Sequence, residues 1–146
     1  VVKYLIETVG ANVDAIDKDR KTPLIYAARE GKLNLVRCLM ESGKANVEAQ
    51  TGYRRTPLLE AAKWGHGEVV RYLVESAGAN IDAKDLDGRT TLMLAAHEGD
   101  LDVVQYLVES AGADIEATDK DGKKARDLQR WGGEEMKQLL GADKPN

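Results

Sequence analysis

Apolar residues recur along this chain at helical spacing, in blocks that repeat. Val36, Leu39 and Met40 fall at i, i+3 and i+4, as do Val70, Leu73 and Val74, and then Val104, Leu107 and Val108. That spacing is the buried stripe of an amphipathic helix. Val2, Leu5 and Ile6 open the chain in the same register. A shorter apolar cluster precedes each full stripe: Leu24, Ala27 and Ala28; Leu58, Ala61 and Ala62; Leu92, Ala95 and Ala96. Each block therefore predicts a short helix, a junction and a second helix. Thr22 and Thr56 stand where a hydroxyl can cap a helix start. Pro23 and Pro57 follow at the first helical position, where a missing N–H costs nothing. Gly31, Gly65 and Gly99 end the first helix by permitting a left-handed residue. Gly43, Gly78 and Gly112 mark the end of the second.

Polar segments repeat with the apolar ones. Ala11-Asn12-Val13-Asp14-Ala15 returns at 45–49, 79–83 and 113–117, each step 34 residues long. It leads into a turn-rich finger such as Asp85-Leu86-Asp87-Gly88. Asp17, Asp85 and Asp119 begin these fingers, where a carboxylate can accept from backbone N–H groups. No block can bury its apolar faces alone, so stacking completes the core and a solenoid results. The expected organisation is one all-α domain over 1–146. It comprises a half unit (1–10, second helix only), full repeats at 11–44, 45–78 and 79–112, a degenerate C-terminal cap at 113–140, and a loose tail at 141–146. In the cap, Lys124-Ala125-Arg126-Asp127 replaces the helix start, and a final helix of about Glu134 to Leu140 keeps Met136, Leu139 and Leu140. A start at Val1 without a first helix would leave an apolar edge. The chain is therefore expected to be a piece of something longer, or to stack or self-associate through that edge.

These residues resemble the ankyrin repeat, whose pattern runs Asp-x-x-Gly-x-Thr-Pro-Leu-His-x-Ala-Ala, then Gly-His, Val-x-x-Leu-Leu and Gly-Ala. Asp85, Gly88, Thr90, Leu92, Ala95, Ala96, Gly99, Val104, Leu107, Gly112 and Ala113 match it. The resemblance covers the chain from Val1 to about Leu140. It implies stacked helix-turn-helix units with β-turn or hairpin fingers, and a concave protein-binding surface of finger tips and first helices. The departures are specific. Ile25, Leu59 and Met93 replace the pattern's His, and Thr91 replaces Pro. Arg20 and Arg54 replace the turn glycine kept as Gly88 and Gly122. Either each Arg is left-handed, at a strain of roughly 1 kcal/mol, or the turn is rebuilt. In Glu41-Ser42-Gly43-Lys44-Ala45 the glycine is displaced by one, so that helix end is expected to differ.

Composition narrows the function. Aromatics are 5% and Phe is absent, so the core is aliphatic. Net charge is −4, which gives no general attraction to nucleic acid or anionic membranes. The charge is uneven: residues 1–73 hold 12 Lys/Arg against 9 Asp/Glu, and residues 74–146 hold 9 against 16. No stretch approaches the ~20 apolar residues of a membrane span. With no signal peptide and the single Cys38, which can form no internal disulfide, a cytoplasmic, reducing location is expected.

Catalytic and metal motifs are absent from the sequence, and no enzyme activity, cofactor or metal is expected. His66 and His97 occupy non-equivalent repeat positions. His66 reads as a structural junction residue and His97 as a contact residue. Cys38 aligns with Tyr4, Tyr72 and Tyr106, a packing column. The candidate partner surface comprises Lys18, Lys21, Arg29, Tyr53, Arg55, Lys63, Trp64, Leu86, Arg89 and His97. Its centre is Tyr53, Arg55 and Trp64, residue types enriched at interface hot spots. Trp64 stands where other units have Glu30 and Glu98, so it reads as a contact residue. The plainer reading has it packing on its own finger or a neighbour's aliphatic surface. The expected function is a non-catalytic protein-interaction module. Two alternatives stand beside it: an architectural segment of a larger multidomain protein, and an engineered repeat protein.

Overall fold

The computed structural model describes Tyr4, Glu7, Thr8 and residues 10–141. The apolar stripe of Val2, Leu5 and Ile6 and the tail from 142 onward lie outside the described residues. Among the described residues from 10 to 141, eight helices follow in chain order: α1 (Pro23–Arg29), α2 (Leu33–Glu41), α3 (Pro57–Lys63), α4 (Gly67–Glu75), α5 (Thr91–Glu98), α6 (Leu101–Glu109), α7 (Ala125–Leu128) and α8 (Gly133–Leu140). None exceeds 9 residues, too short to persist alone in water. Packing must hold them.

Packing runs in two rows. First helices stack as α1 on α3, α3 on α5 and α5 on α7. Second helices stack as α2 on α4, α4 on α6 and α6 on α8. Leu24, Ile25, Leu58, Leu59, Leu92 and Met93 are all buried between units, with the Ala pairs Ala27/Ala28, Ala61/Ala62 and Ala95/Ala96. Alanine lets neighbouring backbones approach closely. Ile25, Leu59 and Met93 fill the position of the pattern's His with apolar volume.

The helix starts follow from the sequence. Thr22, Thr56 and Thr90 accept from the backbone N–H of Ile25, Leu59 and Met93, each at 3.3 Å. Gly31, Gly65 and Gly99 are left-handed, with φ of 70°, 77° and 77°. At Gly31 there is a second constraint: a Cβ would lie 2.4 Å from the His66 ring. His66 Nε2 meets the Arg29 carbonyl at 2.8 Å, which bears out its structural reading.

The second-helix ends correct one expectation. The α2 terminus closes with the same bonds as its counterparts: Ala45 N–H donates to Leu39 O as Ala79 does to Leu73 O and Ala113 to Leu107 O. The displaced glycine does not alter this end. The left-handed position falls instead on Lys44, φ 50°, where the other units have Gly78 and Gly112. Tertiary stacking outweighs the local cost of roughly 1 kcal/mol.

The fingers are turns, and no strand forms among the described residues. Asp17, Asp85 and Asp119 each accept two backbone N–H bonds across the turn. Thr51 does the same in the second finger, at 3.2 Å to Tyr53 and Arg55. Arg20 and Arg54 remain left-handed at φ 63° and 59°, so the turn is strained, not rebuilt. Adjacent fingers join through Gly52 N–H to Asp19 O (3.1 Å), Leu86 N–H to Tyr53 O (2.9 Å) and Lys120 N–H to Asp87 O (3.0 Å).

On the opposite face, Tyr72 donates to Glu41 at 3.3 Å beneath Arg37. Tyr106 repeats the arrangement with Glu75 and Arg71. Burial raises both phenol pKa values, and the carboxylates add to it. In the last unit the first helix shrinks to α7, and α8 buries Met136 and Leu140 while its other residues face outward or lie half-buried.

Candidate partner-binding cleft

The first three fingers and the helices α1 and α3 behind them enclose an open cleft of about 540 Å³. Eight of the ten expected surface residues line it. Lys18 and Lys21 come from the first finger, Arg29 from the end of α1, Tyr53 and Arg55 from the second finger, Lys63 and Trp64 from the end of α3, and Leu86 from the third finger. Arg89 and His97 do not line it. Arg89 is half-buried in the third finger, and His97 on α5 meets the Glu98 carboxylate at 3.0 Å.

Trp64 is positioned by its own turn of chain. Its indole N–H donates to Glu60 at 3.1 Å, one helical turn back. The Arg29 guanidinium stands 5.0 Å from the ring centroid and Lys63 Nζ 5.6 Å. Both distances are within cation–π range. Trp64 remains 48% exposed. Tyr53 is 67% exposed and Leu86 58%, and their backbones are hydrogen-bonded to each other.

Arg55 plays a different part from its neighbours. Its side chain is 17% exposed and lies between two buried carboxylates, 3.9 Å from Glu60 and 3.6 Å from Asp85. Glu60 in turn holds Trp64. Arg55 is thus ion-paired behind the aromatic wall and toward the third finger, with its Nε making no hydrogen bond, and is less open to a partner than its neighbours. Glu60, Thr51 and Arg20 also line the cleft and were not among the expected residues. A signal for Glu60 was present: it stands where Tyr26 and Leu94 stand in adjacent units.

Charge sets the cleft apart from the rest of the molecule. Lys18, Arg20, Lys21, Arg29, Arg55 and Lys63 line it against only two carboxylates, Asp19 and Glu60. Behind it, the Tyr26 hydroxyl donates to Asp17, which holds that carboxyl below its usual range and the phenol above its own.

Comparison with known proteins settles what this scaffold is. The family model described as ankyrin repeats (3 copies) matches residues 1–85 and 44–119. The chain belongs to the ankyrin-repeat family. No curated protein matches it. Ankyrin repeats are in general protein–protein interaction modules and are typically non-enzymatic. In this ankyrin array no cluster of His, Cys, Asp or Glu suited to a metal occurs among the described residues. No helix among them is long and apolar enough to cross a membrane.

Proposed function

We propose that this ankyrin array is a non-catalytic interaction module that binds a protein partner in the cleft spanning its first three fingers. One observation carries the reading: Tyr53, Trp64 and Leu86, all large and exposed, converge on one concavity with the ends of Arg29 and Lys63. Aromatic and Arg side chains gathered at the centre of a concave face are the composition of an interface hot spot. The ring of Trp64 is held in place by Glu60 and two flanking cations, so little side-chain freedom is lost on binding. Lone Cys38, half-buried among second helices, suits a reducing, intracellular setting.

The test is loss of binding without loss of fold. Tyr53→Ala with Trp64→Ala should leave the thermal midpoint near wild type, because both rings are exposed. Partner binding, titrated after capture from matched cell extract, should weaken by about 2 kcal/mol or more. Wild-type affinity in a correctly folded double variant would sink the reading.

A further inference from the structure

We infer that the occupant of the cleft is an acidic, extended peptide segment of the partner, its carboxylates facing α1 and α3 and an apolar side chain seated against Tyr53 and Leu86. This rests on the reading of the cleft as the partner site and adds the partner's chemistry.

The charges argue for it. Among the described residues, Arg29, Lys63, Lys18 and Arg20 have no carboxylate within 4.0 Å, whereas Arg55 has two. Lys21 has only Asp19, at 4.0 Å. Four of the six cations that line the cleft are thus not neutralised by a carboxylate of the described residues. They sit in a protein whose overall charge is −4, so the local field is a departure from the molecule's average and not a consequence of it. Complementary charge of this kind raises association rates and selects partners.

The cleft is also polarised along its length. Apart from Arg55, which is paired with two carboxylates, its cations gather on the first finger and at the ends of α1 and α3, while Tyr53 and Leu86 put exposed apolar surface on the second and third fingers. Stacked helices lie about 8–10 Å apart, so three fingers span roughly 20 Å. About six extended residues cover that distance at about 3.3 Å each. A short strand-like segment with acidic residues at one end and an aliphatic or aromatic residue at the other fits both ends.

The test is selection from a displayed library of random peptides of about 12 residues on the full chain, counter-selected on the Tyr53→Ala/Trp64→Ala variant. Enriched peptides should carry a net negative charge. Synthetic copies should bind with an affinity that falls as salt rises. Binding should weaken tenfold or more on Arg29→Glu/Lys63→Glu in protein whose circular dichroism and melting match wild type. Enrichment of neutral or basic peptides that still require Tyr53 and Trp64 overturns the acidic assignment and leaves the cleft as the partner site. Absence of any peptide dependent on Tyr53 and Trp64 overturns both. Equal or tighter binding of a single-stranded oligonucleotide of matched charge overturns the peptide in favour of nucleic acid. A dimer in light scattering that dissociates on Arg29→Glu/Lys63→Glu overturns it in favour of a second copy.

Discussion

At the residue scale, two basic side chains show how far stacking overrides local preference. Lys44 is left-handed at φ 50° in the place of Gly78 and Gly112, and it lies outside the cleft. Lys44→Gly should therefore stabilise the fold by up to about 1 kcal/mol, glycine's gain in the left-handed region less its entropic cost. A rise in the urea midpoint with unchanged slope would register it. Arg55 should behave in the opposite sense. Its removal leaves Glu60 and Asp85 buried without their cation, so Arg55→Ala should destabilise by about 3 kcal/mol. Near-UV circular dichroism should also report a freed Trp64, because Glu60 would lose its second anchor. The residue types of the cleft could be read from the sequence, but their division of labour could not. Arg55 and Trp64 looked alike as hot-spot candidates. What separates them is a lateral contact: Asp85 lies 30 residues further on, and no periodicity specifies which arginine its second oxygen faces.

At the scale of the element, helix starts and finger turns were the most legible features, because each depends on residues within four positions of one another. Thr90 caps α5 as Thr22 and Thr56 cap α1 and α3. Of these three starts, α5 alone lacks the proline: Thr91 stands in its place. Its hydroxyl is buried with no hydrogen-bond partner, and its backbone N–H donates to nothing among the described residues. Thr90 is already extended at φ −86° and ψ 170°, as a residue before proline must be. Thr91→Pro should thus raise stability by about 1 kcal/mol, seen as an upward shift of a few degrees in the melting midpoint. The finger and second-helix contacts set the pH response. Asp17, Asp87 and Glu116 are held below their ordinary values by donors: Tyr26, Lys120 and Lys124. Their contribution is complete above ordinary carboxyl values of 3.8 and 4.5 and fades as pH falls below them. Tyr26, Tyr72 and Tyr106 are raised, so their contribution is complete below 10.0 and fades as pH rises past it. The melting midpoint should accordingly hold a plateau between those limits and drop on both sides.

At the scale of the whole molecule, the repeat made the solenoid readable and also hid its one irregular surface. A stacked array has nearly the same framework in every unit, so function must reside where the units differ. The second unit differs most on the concave side: Tyr53 replaces an Asp column, Trp64 a Glu column, and Glu60 an otherwise apolar one. Tyr53 and Trp64 were legible in the sequence as departures; Glu60 was not among the expected residues. The sequence also placed Arg89 and His97 with Tyr53 and Trp64, because each occupies an equivalent position one unit along. The cleft ends before they are reached, since its walls are built by Trp64 and Arg29, which the third unit lacks. Function in this array therefore turns on whether these side chains bind. The most direct measurement is the dissociation constant of the captured partner for wild type and for Tyr53→Ala/Trp64→Ala, with melting curves as the control on folding. A loss of about thirtyfold or more, equivalent to about 2 kcal/mol, is expected at an unchanged midpoint. Equal affinity for the two folded proteins would contradict it.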